Sequence, residues 1–302
     1  MAVNKMDIKN FIDLHVHIGP EIIPRKFVVK ELIKAEKGKM AGMALKSHFY
    51  PTIPLIICEK EAEDFVLIGS VTLNNYIGGL NADAIYASAK LSSRPIIVWF
   101  PTISAENFLS KSKYEIPPEW VGEGFTSRLS SEIKGIKIVN QNLELTEETR
   151  NVLKTIKENG CILATGHVSW QEAKVLVEEA VKLGISKVII THPIYQRIAM
   201  PIQIQQQLSK LKGVYIEANY AMHLIDKLPI KEIAEQIKSI GSKRCIISSD
   251  LGQLKSPNPS DGIQKFTELL LKEGLSEKDI RIMGEVNPRE LISIPKIYKE
   301  NN

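Results

Sequence analysis

The chain has 302 residues, 44% hydrophobic and 25% charged, the balance of a soluble globular protein rather than a disordered or fibrous one. Its 39 basic and 35 acidic residues leave a formal charge of +4 spread along the chain, which is no nucleic-acid footprint. Cys58, Cys161 and Cys245 lie far apart with no C-x-x-C, so neither a disulfide framework nor a thiolate zinc site is expected, and a reducing cytoplasm is the expected location. Residues 1–10 lack the apolar core of a secretory signal and the apolar runs are strand-length, so no membrane association is expected.

The first element is Phe11-Ile12-Asp13-Leu14-His15-Val16-His17. Read as a strand, its period of two puts Asp13, His15 and His17 on one face and Ile12, Leu14 and Val16 on the other. Two imidazoles then project side by side at the strand's C-terminal end, within reach of one small cation. After Gly19-Pro20, residues 25–39 carry apolar side chains at helical spacing (Phe27, Leu32, Ile33). A second strand spans 43–49, with Ala44, Lys46 and His48 sharing a face. A short helical piece ends near Glu63, and 65–71 reads as an apolar strand buried on both sides. The Gly78-Gly79 loop is turn chemistry, since no Lys-Ser/Thr follows it to cradle a phosphate. A helix over 82–89 and a strand over 95–100 follow.

Between 102 and 144 the rhythm fails. This polar segment contains Pro117-Pro118 and Trp120 and ends in an expected hairpin pairing 135–139 with 143–145. It reads as an insertion, either a lid over the site or part of a subunit interface of a homo-oligomer. Thr146 is placed to cap a helix that stops at Gly160. From there strands lead in turn to His167, His192, Glu217 and Asp250, with a capping box at Ser169-x-x-Glu172 opening the intervening helix. The tail has a capping signature at Ser276-Glu277-Lys278-Asp279, then Asn287-Pro288, where Asn can cap and Pro can take the first helical position.

Spacing decides the architecture. His17 to His48 is 31 residues, His167 to His192 is 25, His192 to Glu217 is 25 and Glu217 to Asp250 is 33, each the length of one βα unit. Eight such strands in one chain predict a single-domain (β/α)₈ TIM barrel with an inserted segment between strands four and five. His15, His17, Lys46, His48, His167, His192 and Asp250 would all lie at C-terminal strand ends, the face on which barrel enzymes build their sites. Five of the six histidines fall in that set.

These motifs together, Asp-Leu-His15-Val-His17, Thr-Gly-His167, Thr-His192-Pro, Ser-Ser-Asp250 and the tail Asn287-Pro288-Arg-Glu-Leu, resemble the amidohydrolase superfamily of metal-dependent hydrolases over nearly the whole chain. The resemblance implies one or two divalent ions, zinc foremost, held by His15, His17, His167, His192 and Asp250. Such an ion lowers the pKa of bound water from about 15.7 to about 7. Asp250 would take that water's proton and return it to the leaving group, and His192 would bind a second ion or polarise a substrate oxygen.

The departure is at strand four, where Val98-Trp99-Phe100-Pro101 offers no bridging Lys, Glu or His. Lys46 is preferred over Lys137 as a carboxylated substitute, because Lys137 falls in the insertion. Alternatively Lys46 is a cation that orients an anionic substrate or neutralises Asp250. His48 either ligates or hydrogen-bonds. Glu217 is expected to support a ligand imidazole, Asp13 to fix an imidazole tautomer, His223 to be a loop residue, and Trp99, Trp120 and Trp170 to pack. The function expected is cleavage of an amide, ester, lactone or phosphoester bond of a small molecule. A single-metal decarboxylase and a non-catalytic metal-binding barrel are the alternatives.

Overall fold

The computed structural model describes residues 5–59, 64–121 and 125–293. Among them eight parallel strands form one ring: β1 (Ile12–His17), β2 (Gly42–Lys46), β3 (Val66–Ile68 continued by Ser70–Thr72), β4 (Ile97–Trp99), β5 (Ile162–Ala164), β6 (Val188–Ile190), β7 (Val214–Asn219) and β8 (Cys245–Ser248). β3 breaks at Gly69, where a Cβ would meet the Ile53 side chain at 2.5 Å. Beyond the end of β8 the chain returns to β1. The Asp250 amide donates to the His15 carbonyl (2.8 Å), the His17 amide to the Leu251 carbonyl (2.7 Å), and Val16 pairs in parallel with Leu251. The eight-stranded TIM barrel read from the spacing is the observed architecture.

Interior and exterior are separate apolar layers. Ile12, Leu14, Ile97, Trp99, Ile162 and Ile246 fill the barrel, closed at its floor by Leu291 and Ile292. Val16, Met43, Leu45 and Val98 face the outer helices instead. This corrects the reading of β1. Ile12 and Leu14 point inward, and the register against β2 slips by one between Asp13 and Val16. A bulge inserts one residue and re-aims the side chains beyond it, so His15 and His17 still reach the interior while Asp13 does not share their surroundings.

Several local expectations hold. Thr146 accepts from the Thr149 amide to cap the helix Glu147–Glu158, Ser169 and Glu172 form their capping box, and Ser276 caps Glu277–Arg281. Others change. The first helix is Val29–Glu36, leaving Arg25 in the preceding loop. The helix Ile53–Ile57 ends well before Glu63, which lies outside the described residues. Of the expected hairpin only the turn end forms: Val139 pairs with Leu145, while Ile136 pairs with Ala105. Asn287 is not a cap, because a π-helical turn over Ile282–Val286 carries the helix straight into it. Its amide instead donates to the carbonyls of Ser242 and Cys245, tying that helix to the start of β8. All three cysteines are free, and no helix among the described residues is long and apolar enough to cross a membrane.

Candidate active site

The C-terminal strand ends bring five imidazoles into one circuit. Ring centroids are 5.5 Å apart for His15–His17, 4.7 Å for His17–His48, 6.4 Å for His48–His167, 5.1 Å for His167–His192 and 5.9 Å for His192–His15. His223 is elsewhere, its Nδ1 2.8 Å from the Leu228 carbonyl. All five clustered histidines are buried, and four of them, His17, His48, His167 and His192, line a cavity of about 30 Å³ that is large enough to hold water.

Asp250 sits at the centre. Its Oδ1 lies 3.0 Å from both His15 Nε2 and His17 Nε2, while Oδ2 accepts from the Asn219 amide (3.2 Å) and lies 3.9 Å from His192 Nε2. Burial alone would raise this carboxyl. The charge and hydrogen bonds of His15, and then those of His17, outweigh it and hold Asp250 well below the usual carboxylate range. Asp250 and His192 both carry left-handed backbone, φ 53° and 21°, which costs roughly 1–3 kcal/mol and clusters at functional sites.

Glu217 is completely buried behind His15. Oε1 accepts from Ser248 Oγ (2.7 Å) and lies 3.0 Å from His15 Nδ1, and Oε2 accepts from the His192 amide (3.0 Å). A carboxylate there accepts the hydrogen bond of Nδ1–H and orients the ring so that Nε2 faces Asp250. Lys46 Nζ lies 2.9 Å from that Nε2 and 4.2 Å above the ring of Trp99 in the barrel interior. Burial pushes the Lys46 ammonium down to about 8, against the pull of Asp250 and Glu217. His192 is pushed down to about 4, again chiefly by burial.

The chemistry of this set suits a small cation. Ligand atoms of His15, His17 and Asp250 all lie within 4.8 Å of one another, two nitrogens and one oxygen of the kind zinc takes. His167 Nδ1 and His192 Nδ1 are buried polar atoms with no hydrogen-bond partner. Two sequence expectations are corrected. Asp13 touches no imidazole: its Oδ1 accepts from the backbone amides of His15 (3.1 Å) and Ser249 (3.0 Å), pinning the seam between β1 and the end of β8. Trp120, expected to pack only, lies parallel to the His48 ring at 5.9 Å and lines the cavity. Lys137 is on the surface, 3.8 Å from Glu106, and takes no part.

Sequence reasoning missed Arg25, Tyr195, Asp226 and Gln253, all of which line the cavity. Arg25 pairs with Glu21 through Nε and places Nη2 3.1 Å from His17 Nδ1. Burial pushes the Asp226 carboxyl up to about 7, with the Asp250 and Glu119 charges adding to the rise and Arg197 opposing it. Because that value exceeds the unfolded one, the ionised carboxylate costs stability, and the cost grows as pH rises from about 4 through about 7. Asp226→Asn is therefore expected to melt above the wild type by a margin that widens between about pH 4 and about pH 8. Melting curves of the metal-stripped proteins across that range check this, and a constant margin would contradict it.

The fold has known relatives in structure. The chain superimposes on an amidohydrolase from Pseudomonas aeruginosa with a TM-score of 0.58 at 11% identity, covering 94% of this chain and 95% of that one. A protein assigned as a 2-pyrone-4,6-dicarboxylic acid hydrolase from Pseudomonas putida gives 0.57 at 12%, covering 93% and 97%. A 2,6-dihydroxybenzoate decarboxylase solved with 2,6-dihydroxybenzoate gives 0.50 at 12%, covering 95% and 100%. No match is found among curated proteins. Residues 10–217 match the Family of unknown function (DUF6282), so the chain belongs to that family, and its fold is the barrel of the structures named above.

Proposed function

We propose that the protein is a metal-dependent hydrolase of a small molecule, with a divalent ion, zinc foremost, held by His15, His17 and Asp250 and with His167 and His192 completing the site. The observation that carries this reading is that His15 Nε2 and His17 Nε2 each lie 3.0 Å from Asp250 Oδ1, with ligand atoms of the three residues within 4.8 Å of one another and Glu217 behind His15. A divalent ion held there would make water acidic enough to supply hydroxide near neutral pH. Asp250, kept ionised, accepts the proton of a water in the cavity and returns it to the leaving group. His192, held neutral, presents Nε2 beside Asp250 and polarises the oxygen of the scissile group. Lys46 supplies a positive charge against the charge that develops on the substrate.

The small cavity takes the reacting group only. Next to it, and sharing Trp120, Ile225 and Gln253, a groove of about 450 Å³ includes Leu254 and Pro257 and takes the body of the substrate. Through Trp120 the 102–144 segment contributes a wall of this site. Free cysteines accord with a cytoplasmic setting. A metal-replete screen of lactones, esters, amides and phosphoesters, with aromatic acids assayed in parallel for released CO₂, tests the reading. Hydrolysis products are expected, and CO₂ release without hydrolysis would replace it with the lyase.

A further inference from the structure

Outside the His15, His17 and Asp250 cluster the structure holds a hydrogen-bond relay that determines what His48 can do. Asn74, in the turn after β3, is fully buried. Its Oδ1 accepts from the backbone amides of Thr102 (2.8 Å) and Ser104 (3.2 Å), which fixes that atom as the oxygen. Nδ2 therefore donates, to the His48 carbonyl (3.0 Å) and to Thr102 Oγ1 (2.8 Å). A threonine hydroxyl has one proton. With Asn74 donating to it, Thr102 Oγ1 sends that proton to His48 Nδ1, 2.9 Å away. The reverse arrangement, Nδ1–H donating to Thr102, would leave the hydroxyl proton without an acceptor in a fully buried site, which is unfavourable.

We infer that His48 is a hydrogen-bond donor to a substrate oxygen, its proton set on Nε2 by the Asn74–Thr102 relay, and not a ligand of the ion. A nitrogen that carries a proton gives a cation no lone pair unless it releases that proton, which His17 Nε2 does beside Asp250 and for which the His48 ring has no carboxylate partner among the described residues. The ring lies parallel to Trp120, centroids 5.9 Å apart, and beside His17, and with Lys46 and His167 it lines the cavity, so the N–H meets whatever reacts there. The substrate class this selects bears a carbonyl, carboxylate or phosphoryl oxygen beside the bond that breaks. Asn74 and Thr102 are positioning residues that act through His48. The substrate role rests on the hydrolase reading above, whereas the tautomer stands on the relay alone.

The test is nitrogen-resolved NMR of the full chain with ¹⁵N-labelled histidine, first metal-stripped, then titrated with zinc, then with acetate as a carboxylate probe. His48 is expected to show an Nε2–H tautomer that persists when zinc shifts His15 and His17, and to respond to acetate. Thr102→Val should mix the tautomers, and Thr102→Ser should restore the single form. Acetate affinity should fall about tenfold in His48→Ala, and zinc stoichiometry should be unchanged in His48→Gln. An Nδ1–H tautomer, loss of the Nε2 proton on zinc binding, or loss of zinc in His48→Gln would overturn the inference. Failure of zinc to bind the wild type would instead overturn the hydrolase reading, and with it the substrate role, while the metal-free tautomer still reports on the relay.

Discussion

Replacing Asp250 by Asn is expected to lower kcat/KM for any substrate the screen identifies by about 10²–10⁴-fold, the usual contribution of a positioned general base. The side chain keeps its shape and its neighbours. What it loses is the ability to take a proton and the negative charge that two imidazoles share, since Oδ1 lies 3.0 Å from both His15 Nε2 and His17 Nε2. Asn219 already donates to Oδ2, so an amide nitrogen at that position would face another donor, and the new residue has to turn its nitrogen toward the histidines. Metal affinity should therefore fall together with turnover. Kinetics measured at saturating metal separate the two effects. Activity within about tenfold of wild type under those conditions would remove Asp250 as the base.

The second large effect is on stability. Glu217→Ala is expected to cost about 3–5 kcal/mol, because it leaves a buried polar site without its charge. Three donors meet this carboxylate, His15 Nδ1, Ser248 Oγ and the His192 amide, and solvent reaches none of them to compensate. Glu217→Gln should cost less, about 1–3 kcal/mol, since one amide oxygen can serve one side while its NH₂ confronts a donor on the other. Both variants should weaken metal binding by about 10–100-fold, through loss of the partner that orients the His15 ring. Urea denaturation of metal-stripped protein, paired with zinc titration, checks both arms. A Glu217→Gln protein matching wild type in each would show that the carboxylate is incidental.

The barrel was legible because its signal is periodic and repeated. Strand-length apolar runs recur at βα spacing, and polar residues gather at their C-terminal ends, where His167, His192 and Asp250 break otherwise apolar strands. The β1 bulge was not legible, since one inserted residue leaves the Asp-Leu-His-Val-His pattern looking like an unbroken alternation. Asp13 was misassigned for the same reason. Arg25 sits in a loop whose neighbours have helical spacing, so nothing local marks it as a cavity residue. Trp120 reaches the site from a segment without periodicity, and its contact with His48 depends on how that segment folds back. The relay to His48 joins Asn74 and Thr102 across different strand ends, a relation that no sequence spacing encodes.

The central claim is that distant residues grip one divalent ion at the mouth of the barrel. Calorimetric titration of zinc into the metal-stripped protein, repeated on His15→Ala and His17→Ala, tests it most directly. The proposed function predicts at least one tightly bound ion per wild-type chain and loss of that ion in both variants, with far-ultraviolet circular dichroism showing the barrel retained. Absence of binding in the wild type, or undiminished affinity and stoichiometry in the variants, would contradict it.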